Sequence, residues 1–206
     1  MSLFLPKLYP ITDTHRSGLS HAEQIKRLAA GGASLIQVRD KQASPREFYQ
    51  AALDAMSVAR KLGVRIVIND RVDIAIAVEA DGVHLGQDDL PPEHARRLLG
   101  ENRIIGFSTH NLKQALEASL APVDYIAVGP VFQTSTKDKP DPVLGLEVIA
   151  EAKRHITTPL VAIGGITLDR ARSVIDAGAD SVAVISDLYS AGDISSRVQA
   201  FFKVLK

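Results

Sequence analysis

The chain contains no cysteine. That excludes disulfides, thiolate metal sites and a cysteine nucleophile, and it fits a reducing compartment. It carries no excess charge of either sign: Lys plus Arg and Asp plus Glu each number 24. Nothing in that balance draws the chain to nucleic acid or to an anionic membrane surface. No apolar run is long enough to span a bilayer. Residues 1–6 are too short to make a signal peptide, so a cytoplasmic location is expected. Histidines spaced for zinc are missing, as are a G-x-S-x-G elbow and a Walker phosphate loop.

What is present is a rhythm. The 206 residues are 46% hydrophobic and 23% charged, ordinary values for a soluble protein of one domain, here residues 1–206. Eight short apolar runs occupy residues 8–12, 34–39, 65–69, 82–85, 103–108, 125–128, 160–163 and 181–185. Runs of this kind are strands of a parallel sheet, buried on both faces. Amphipathic stretches separate them. The plainest begins at Ser44-Pro45-Arg46-Glu47, where Ser44 is a helix N-cap, Pro45 takes the first turn and Glu47 closes a capping box. Phe48, Ala52, Ala55, Ala59 and Leu62 then share one face, and Gly63 ends the helix. Ser20 with Glu23 repeats the start signal ahead of Ile25, Leu28 and Ala29. Thr167 is placed to cap a helix with Ala171, Val174 and Ile175 inside and Gly178 at its end.

Eight strand–helix units in this length predict a compact (β/α)8 TIM barrel of the α/β class. A doubly wound open sheet is the alternative, and the absence of G-x-G-x-x-G after the first strand counts against its dinucleotide-binding form.

In such a barrel, chemistry gathers at the carboxyl ends of the strands. Those ends read Gln37-Val38-Arg39-Asp40-Lys41, Asn69-Asp70, Gly86-Gln87-Asp88-Asp89, Ser108-Thr109-His110, Gly129-Pro130-Val131-Phe132-Gln133-Thr134-Ser135-Thr136-Lys137, Gly164-Gly165 and Ile185-Ser186. Gly164-Gly165 precedes a helix start, and with Ile185-Ser186 it stands where this fold usually holds phosphate; a tight turn alone is the other reading. Arg39 and Lys41 alternate on an extended segment and so point the same way, into the mouth. Lys137 adds a third cation. Asp70 and Asp89 end neighbouring strands and suit a hard divalent ion, unless Asp70 only pairs with Arg71 or caps the following helix and Asp88 and Asp89 form a polar turn; the three cations favour the metal reading, because metal and cations together can neutralise a diphosphate. His84, within a strand, reads as structural. His110, at the rim, reads either as an acid–base group or as structure.

Taken together these segments resemble the thiamine phosphate synthase family. The matching pieces include Asn69-Asp70-Arg71, His84-Leu85-Gly86-Gln87-Asp88-Asp89, Gly106-Phe107-Ser108-Thr109-His110 and Ile163-Gly164-Gly165-Ile166-Thr167, in the family's order and spacing over nearly the whole chain. The resemblance implies a transferase of thiamine biosynthesis. It would join 4-amino-2-methyl-5-hydroxymethylpyrimidine diphosphate to 4-methyl-5-(2-hydroxyethyl)thiazole phosphate, or to its carboxylated precursor, giving thiamine phosphate and pyrophosphate. It further implies that Gln37, Arg39, Lys41, Asn69 and Ser108 contact the pyrimidine diphosphate and that Asp70 and Asp89 hold Mg2+. Thr134, Thr136, Gly164 or Gly165, and Ile185-Ser186 would hold the thiazole phosphate, and Lys137 would reach the diphosphate. Arg39, Lys41, Lys137 and Ser108 are the expected catalytic set, and residues 134–142 the expected lid. Partners are then small molecules, with neither nucleic acid nor membrane; a homo-oligomer is compatible with the sequence.

Three other readings share the barrel, and one of them, another phosphosugar enzyme such as an epimerase or an indole-pathway enzyme, is allowed by the Gly164-Gly165 end alone but not by the other strand ends. A thiazole tautomerase would keep the phosphate site but has no need of Arg39, Lys41, Asp70, Asp89 and Lys137. A non-catalytic phosphometabolite-binding protein would need no metal carboxylates.

Overall fold

Apolar strands that show no polar face must be covered on both sides, and closing the sheet on itself with helices outside achieves this. The computed structural model describes residues 5–134, 142–190 and 192–206. Its strands are β1 (Leu8–Pro10), β2 (Leu35–Val38), β3 (Arg65–Asn69), β4 (Gly82–Leu85), β5 (Ile104–Thr109), β6 (Tyr125–Val128), β7 (Leu160–Ile163) and β8 (Ser181–Val184). All pair in parallel in the order β1-β8-β7-β6-β5-β4-β3-β2. A single bridge between Ile11 and Gln37 joins the two ends, and the Thr12 amide donates to the Gln37 carbonyl at 2.9 Å. The barrel is closed, and the open-sheet alternative is excluded.

Among the described residues the helices are α1 (Thr14–Ser17), α2 (His21–Ala30), α3 (Pro45–Leu62), α4 (Val72–Ala77), α5 (Pro92–Leu99), α6 (Leu112–Ala118), α7 (Gly145–His155), α8 (Leu168–Asp176), α9 (Ser186–Tyr189) and α10 (Ile194–Val204). α3 begins as its sequence predicts. Ser44 and Glu47 form a complete capping box, Pro45 opens the first turn, and Gly63 closes the helix in the left-handed region at φ 67°. Phe48, Ala52, Ala55 and Ala59 are buried as expected, but Leu62 is not; the chain turns at Gly63 and buries Val64 instead. In α2 the Ser20 side chain accepts from the Glu23 amide, while the Glu23 carboxylate turns outward to Lys26 and Arg27, so only half of a capping box forms. Thr167 occupies the N-cap of α8 without capping it; its hydroxyl donates to Asp169 instead.

Strand alternation divides the core in two. Inward positions such as Tyr9, Leu35, Val67, Ile104, Tyr125 and Val161 fill the barrel. Outward neighbours such as Ile36, Ile66, Val83, Ile105 and Ile126 pack under the helices. Each large aliphatic side chain so buried contributes about 1.5–3 kcal/mol.

The amino end of the barrel has a repeating clamp. Asp81, Asp124 and Asp180 immediately precede β4, β6 and β8. Their carboxylates accept the amides of Ile66, Ile105 and Leu160 on the preceding strands, at 2.7, 2.7 and 2.8 Å. Asp124 is further held by Arg96 and Asp180 by Lys153, each at 2.7 Å.

Candidate active site

The opposite, carboxyl end of the barrel opens into a cavity of about 430 Å³. Strand alternation decides what lines it. In β2, Leu35 and Gln37 face inward while Ile36 and Val38 face the helices, so Gln37 and then Arg39 and Lys41 reach the mouth. Asn69 and Asp70 come from the end of β3, Asp89 from the turn after β4, and Ser108 from β5. Thr134 follows β6, Gly164 and Gly165 follow β7, and Ile185 with Ser186 leads into α9. The structure therefore brings together every expected site residue that it describes. Thr136, Lys137 and most of the 134–142 segment expected to form a lid lie outside the described residues.

Two halves differ in charge. On the β2–β4 side, Lys41 Nζ lies 3.1 Å from Asp70 Oδ2. Arg71, the alternative partner for Asp70, pairs with Asp73. Asp70 has a left-handed backbone, φ 62°, tied by its amide to the His84 carbonyl at 2.8 Å. That conformation is uncommon for a residue with a side chain, though less costly for Asp than for most, and it is the kind of strain held at functional sites. The Asp89 carboxylate folds back to accept the Gly86 amide at 2.6 Å. Burial holds the Asp89 carboxyl above the usual carboxylate range and the Asp70 charge adds to that, against the Gly86 amide and Lys41, which lower it. Among the described residues Arg39 has no side-chain hydrogen bond or ion pair; its amide donates to Thr12 Oγ1 at 3.2 Å.

The other half is built on backbone. Gly164 and Gly165 have φ 100° and 64°. A Cβ on Gly164 would stand 2.5 Å from Pro130 Cβ, and one on Gly165 would stand 2.3 Å from the Gln133 carbonyl oxygen. These glycines are therefore required first by the loop after β6, which lies against them: the Val131 and Phe132 amides donate to Ile163 and Gly164 at 2.9 and 3.0 Å. Bare backbone at the approach to α8 then suits an anion such as a monophosphate.

His84 is buried, as its place in a strand predicts, and its partners come from two other strands: Nδ1 lies 2.9 Å from the Tyr125 hydroxyl and Nε2 lies 2.8 Å from Ser108 Oγ, links that sequence reading did not find. Burial lowers its pKa to about 4, so the ring is neutral. Tyr9 and Gln37 continue this network. The one signal in the sequence was Gly106, a glycine inside a strand, which marks a close approach. His110 Nδ1 lies 3.0 Å from the Gly129 carbonyl.

Comparison with known proteins places this barrel. Residues 8–188 match the family model described as thiamine monophosphate synthase. The thiamine-phosphate synthase of Chloroflexus aurantiacus is 44% identical over 191 residues, 92% of this chain and 88% of that protein. The Clostridium novyi protein of the same name is 47% identical over 189 residues, 91% and 93% of the two chains. The solved thiamine phosphate pyrophosphorylase of Pyrococcus furiosus superposes with TM-score 0.87 at 39% identity, covering 97% of this chain and 95% of its own.

Proposed function

The chain belongs to the thiamine monophosphate synthase family, and from that premise we propose how its cavity forms thiamine phosphate. It is a transferase. The observation that carries the assignment of roles is that one cavity is lined by Arg39 and Lys41, by the carboxylates of Asp70, Asp88 and Asp89 and, across from them, by a glycine-built rim.

The reaction breaks the bond between the pyrimidine methylene carbon and the diphosphate oxygen. The electron pair leaves with pyrophosphate, and the thiazole nitrogen lone pair forms the new C–N bond. That nitrogen carries no proton, so no general base is needed. Negative charge grows on the leaving group, and preorganised cations stabilise it most. Arg39 and Lys41 do this from the segment that follows β2, with Lys137 from the segment after β6. Gln37 and Asn69 hold the pyrimidine, and Ser108 assists. Thr134, Thr136, the Gly164-Gly165 backbone and Ile185-Ser186 hold the thiazole phosphate, which orients the nucleophile.

Asp70 and Asp89 are the residues that would hold a divalent ion, and magnesium is the ion they fit. They are oxygen donors, close enough for one charge to raise the other's pKa, which a cation between them relieves. Among the described residues no third His, Asp or Glu joins them, and magnesium characteristically takes one or two carboxylates plus waters and substrate phosphates. When bound, it neutralises charge on the departing pyrophosphate.

Supplying both substrates with and without magnesium tests the reading. Equal amounts of pyrophosphate and thiamine phosphate are expected, and chelation should abolish both. Absence of pyrophosphate release from the active-site-intact protein would overturn it. A tautomerase on the same barrel would release none.

A further inference from the structure

Five side chains from five strands form one hydrogen-bonded chain beneath the cavity. Gln37 Nε2 lies 3.3 Å from the Tyr9 hydroxyl, Tyr9 2.9 Å from the Tyr125 hydroxyl, Tyr125 2.9 Å from His84 Nδ1, and His84 Nε2 2.8 Å from Ser108 Oγ. The chain begins and ends on residues that line the cavity, and Tyr125 at its centre is fully buried.

Its route depends on a missing side chain. His84, Gly106 and Tyr125 sit side by side on β4, β5 and β6. A Cβ on Gly106 would lie 2.0 Å from Tyr125 Cζ and 2.3 Å from its hydroxyl oxygen. The empty place lets the Tyr125 ring cross β5 and stack on His84, with centroids 5.5 Å apart and planes at 16°. Tyr9 meets the same ring edge-on, at 5.7 Å and 86°.

Donor counting gives the chain a direction. An amide nitrogen only donates, and each phenol has one proton. With Gln37 Nε2 donating to Tyr9, every proton of the chain finds an acceptor only when Tyr9 donates to Tyr125 and Tyr125 donates to His84 Nδ1. A neutral imidazole then carries its proton on Nε2 and donates to Ser108 Oγ. The Ser108 proton is left to point into the cavity, and the Gln37 carbonyl oxygen is left to accept there.

We propose that Tyr9, Tyr125 and His84 are positioning residues that fix the hydrogen-bond polarity of the two cavity-facing ends, an acceptor at Gln37 and a donor at Ser108. This rests on the synthase reading. A ring bearing an amino donor and ring-nitrogen acceptors, as the aminopyrimidine does, meets a floor with matching polarity, and a ring with the reverse pattern is rejected. Leaving a polar end mismatched costs more than a hydrogen bond returns.

Nitrogen-15 NMR of the imidazole of His84, without substrates, reads the direction independently of activity. The parent should show Nε2 protonated and Nδ1 bare. Tyr125→Phe keeps ring volume and should shift the tautomer toward Nδ1–H, because Ser108 can then donate to Nε2. It should raise KM for the pyrimidine diphosphate about tenfold and leave KM for the thiazole phosphate unchanged. Combining it with Ser108→Ala should add little to the Ser108→Ala effect. Tyr9→Phe removes the link that sets the direction of the Tyr125 proton, and should produce part of the same tautomer shift. An Nδ1–H tautomer in the parent, equal KM effects on both substrates, or full additivity would overturn the proposal. Failure of the synthase reading would appear differently, as no product from the parent protein with an unaltered NMR result.

Discussion

Lys41 Nζ stands 3.1 Å from Asp70 Oδ2, so a cation assigned to the diphosphate and a carboxylate assigned to the metal are already partners. Each limits the other before substrate arrives. Lys41→Met should therefore tighten magnesium binding to the substrate-free protein by up to about fivefold, the scale of a partly exposed ion pair, while lowering turnover. Asp70→Asn should do the reverse to the metal, raising the magnesium concentration for half-maximal activity and lowering activity with it. Calorimetry with magnesium alone and a metal titration of rate separate the two effects. An Asp70→Asn variant with the parent's titration would remove Asp70 from the metal site.

Lys137 is the third cation expected at the diphosphate. Lys137→Ala should lower turnover by about 10²–10³, the cost of one preorganised electrostatic contact. Rates at saturating concentrations of both substrates measure this, and near-normal turnover would end its catalytic role.

Gly106 offers a test by packing. Gly106→Ala places a methyl group against the Tyr125 ring, at 2.0 Å from Cζ before relaxation. Overpacking of this kind costs about 1–3 kcal/mol, read as a lower denaturant midpoint. Tyr125→Leu in the same chain should recover part of that loss. If Gly106→Ala matches the parent's midpoint, the ring is not confined as described.

His21 gives a pH dependence of stability. It is buried, with Nδ1 2.8 Å from Thr12 Oγ1, and Nε2 has no hydrogen-bond partner, lying 3.8 Å from Asp40 Oδ2. Burial holds its pKa below the usual 6.5, against the charges of Asp40 and Asp13. Between the folded and unfolded pKa values the unfolded chain binds more protons, so stability falls as pH falls below about 6.5. A His21→Phe variant lacks that term. Its deficit in Tm relative to the parent should shrink from about pH 7.5 to about pH 5.5; a constant gap would show that His21 does not titrate between the states.

Much of this was legible in the sequence, for physical reasons. Strands buried on both faces read as short apolar runs, and four of the eight, at 65–69, 82–85, 125–128 and 160–163, have the expected bounds. The rim was legible because charged residues such as Arg39 and Asp70 end apolar strands. Contacts across the barrel were not. Tyr9 and Tyr125 are 116 residues apart, and neither has a local pattern that reveals the other. His84 read as structural and is buried and hydrogen-bonded, but its strand position did not show that one of its partners is Ser108 at the cavity. Thr167 had the right residue type for a cap, but the neighbouring Asp169 took its hydroxyl. Leu62 kept the helical period after the chain had begun to turn.

The carboxylates of Asp81, Asp124 and Asp180 bear on how such a chain diversifies. They tie successive strands at the barrel's amino end, and none lines the cavity at the other end. Tolerance and novelty are thereby separated along one axis. Substitutions that retune the rim for a different pair of anionic rings leave the ties intact, and loops exchanged at the rim inherit a scaffold that is already fastened.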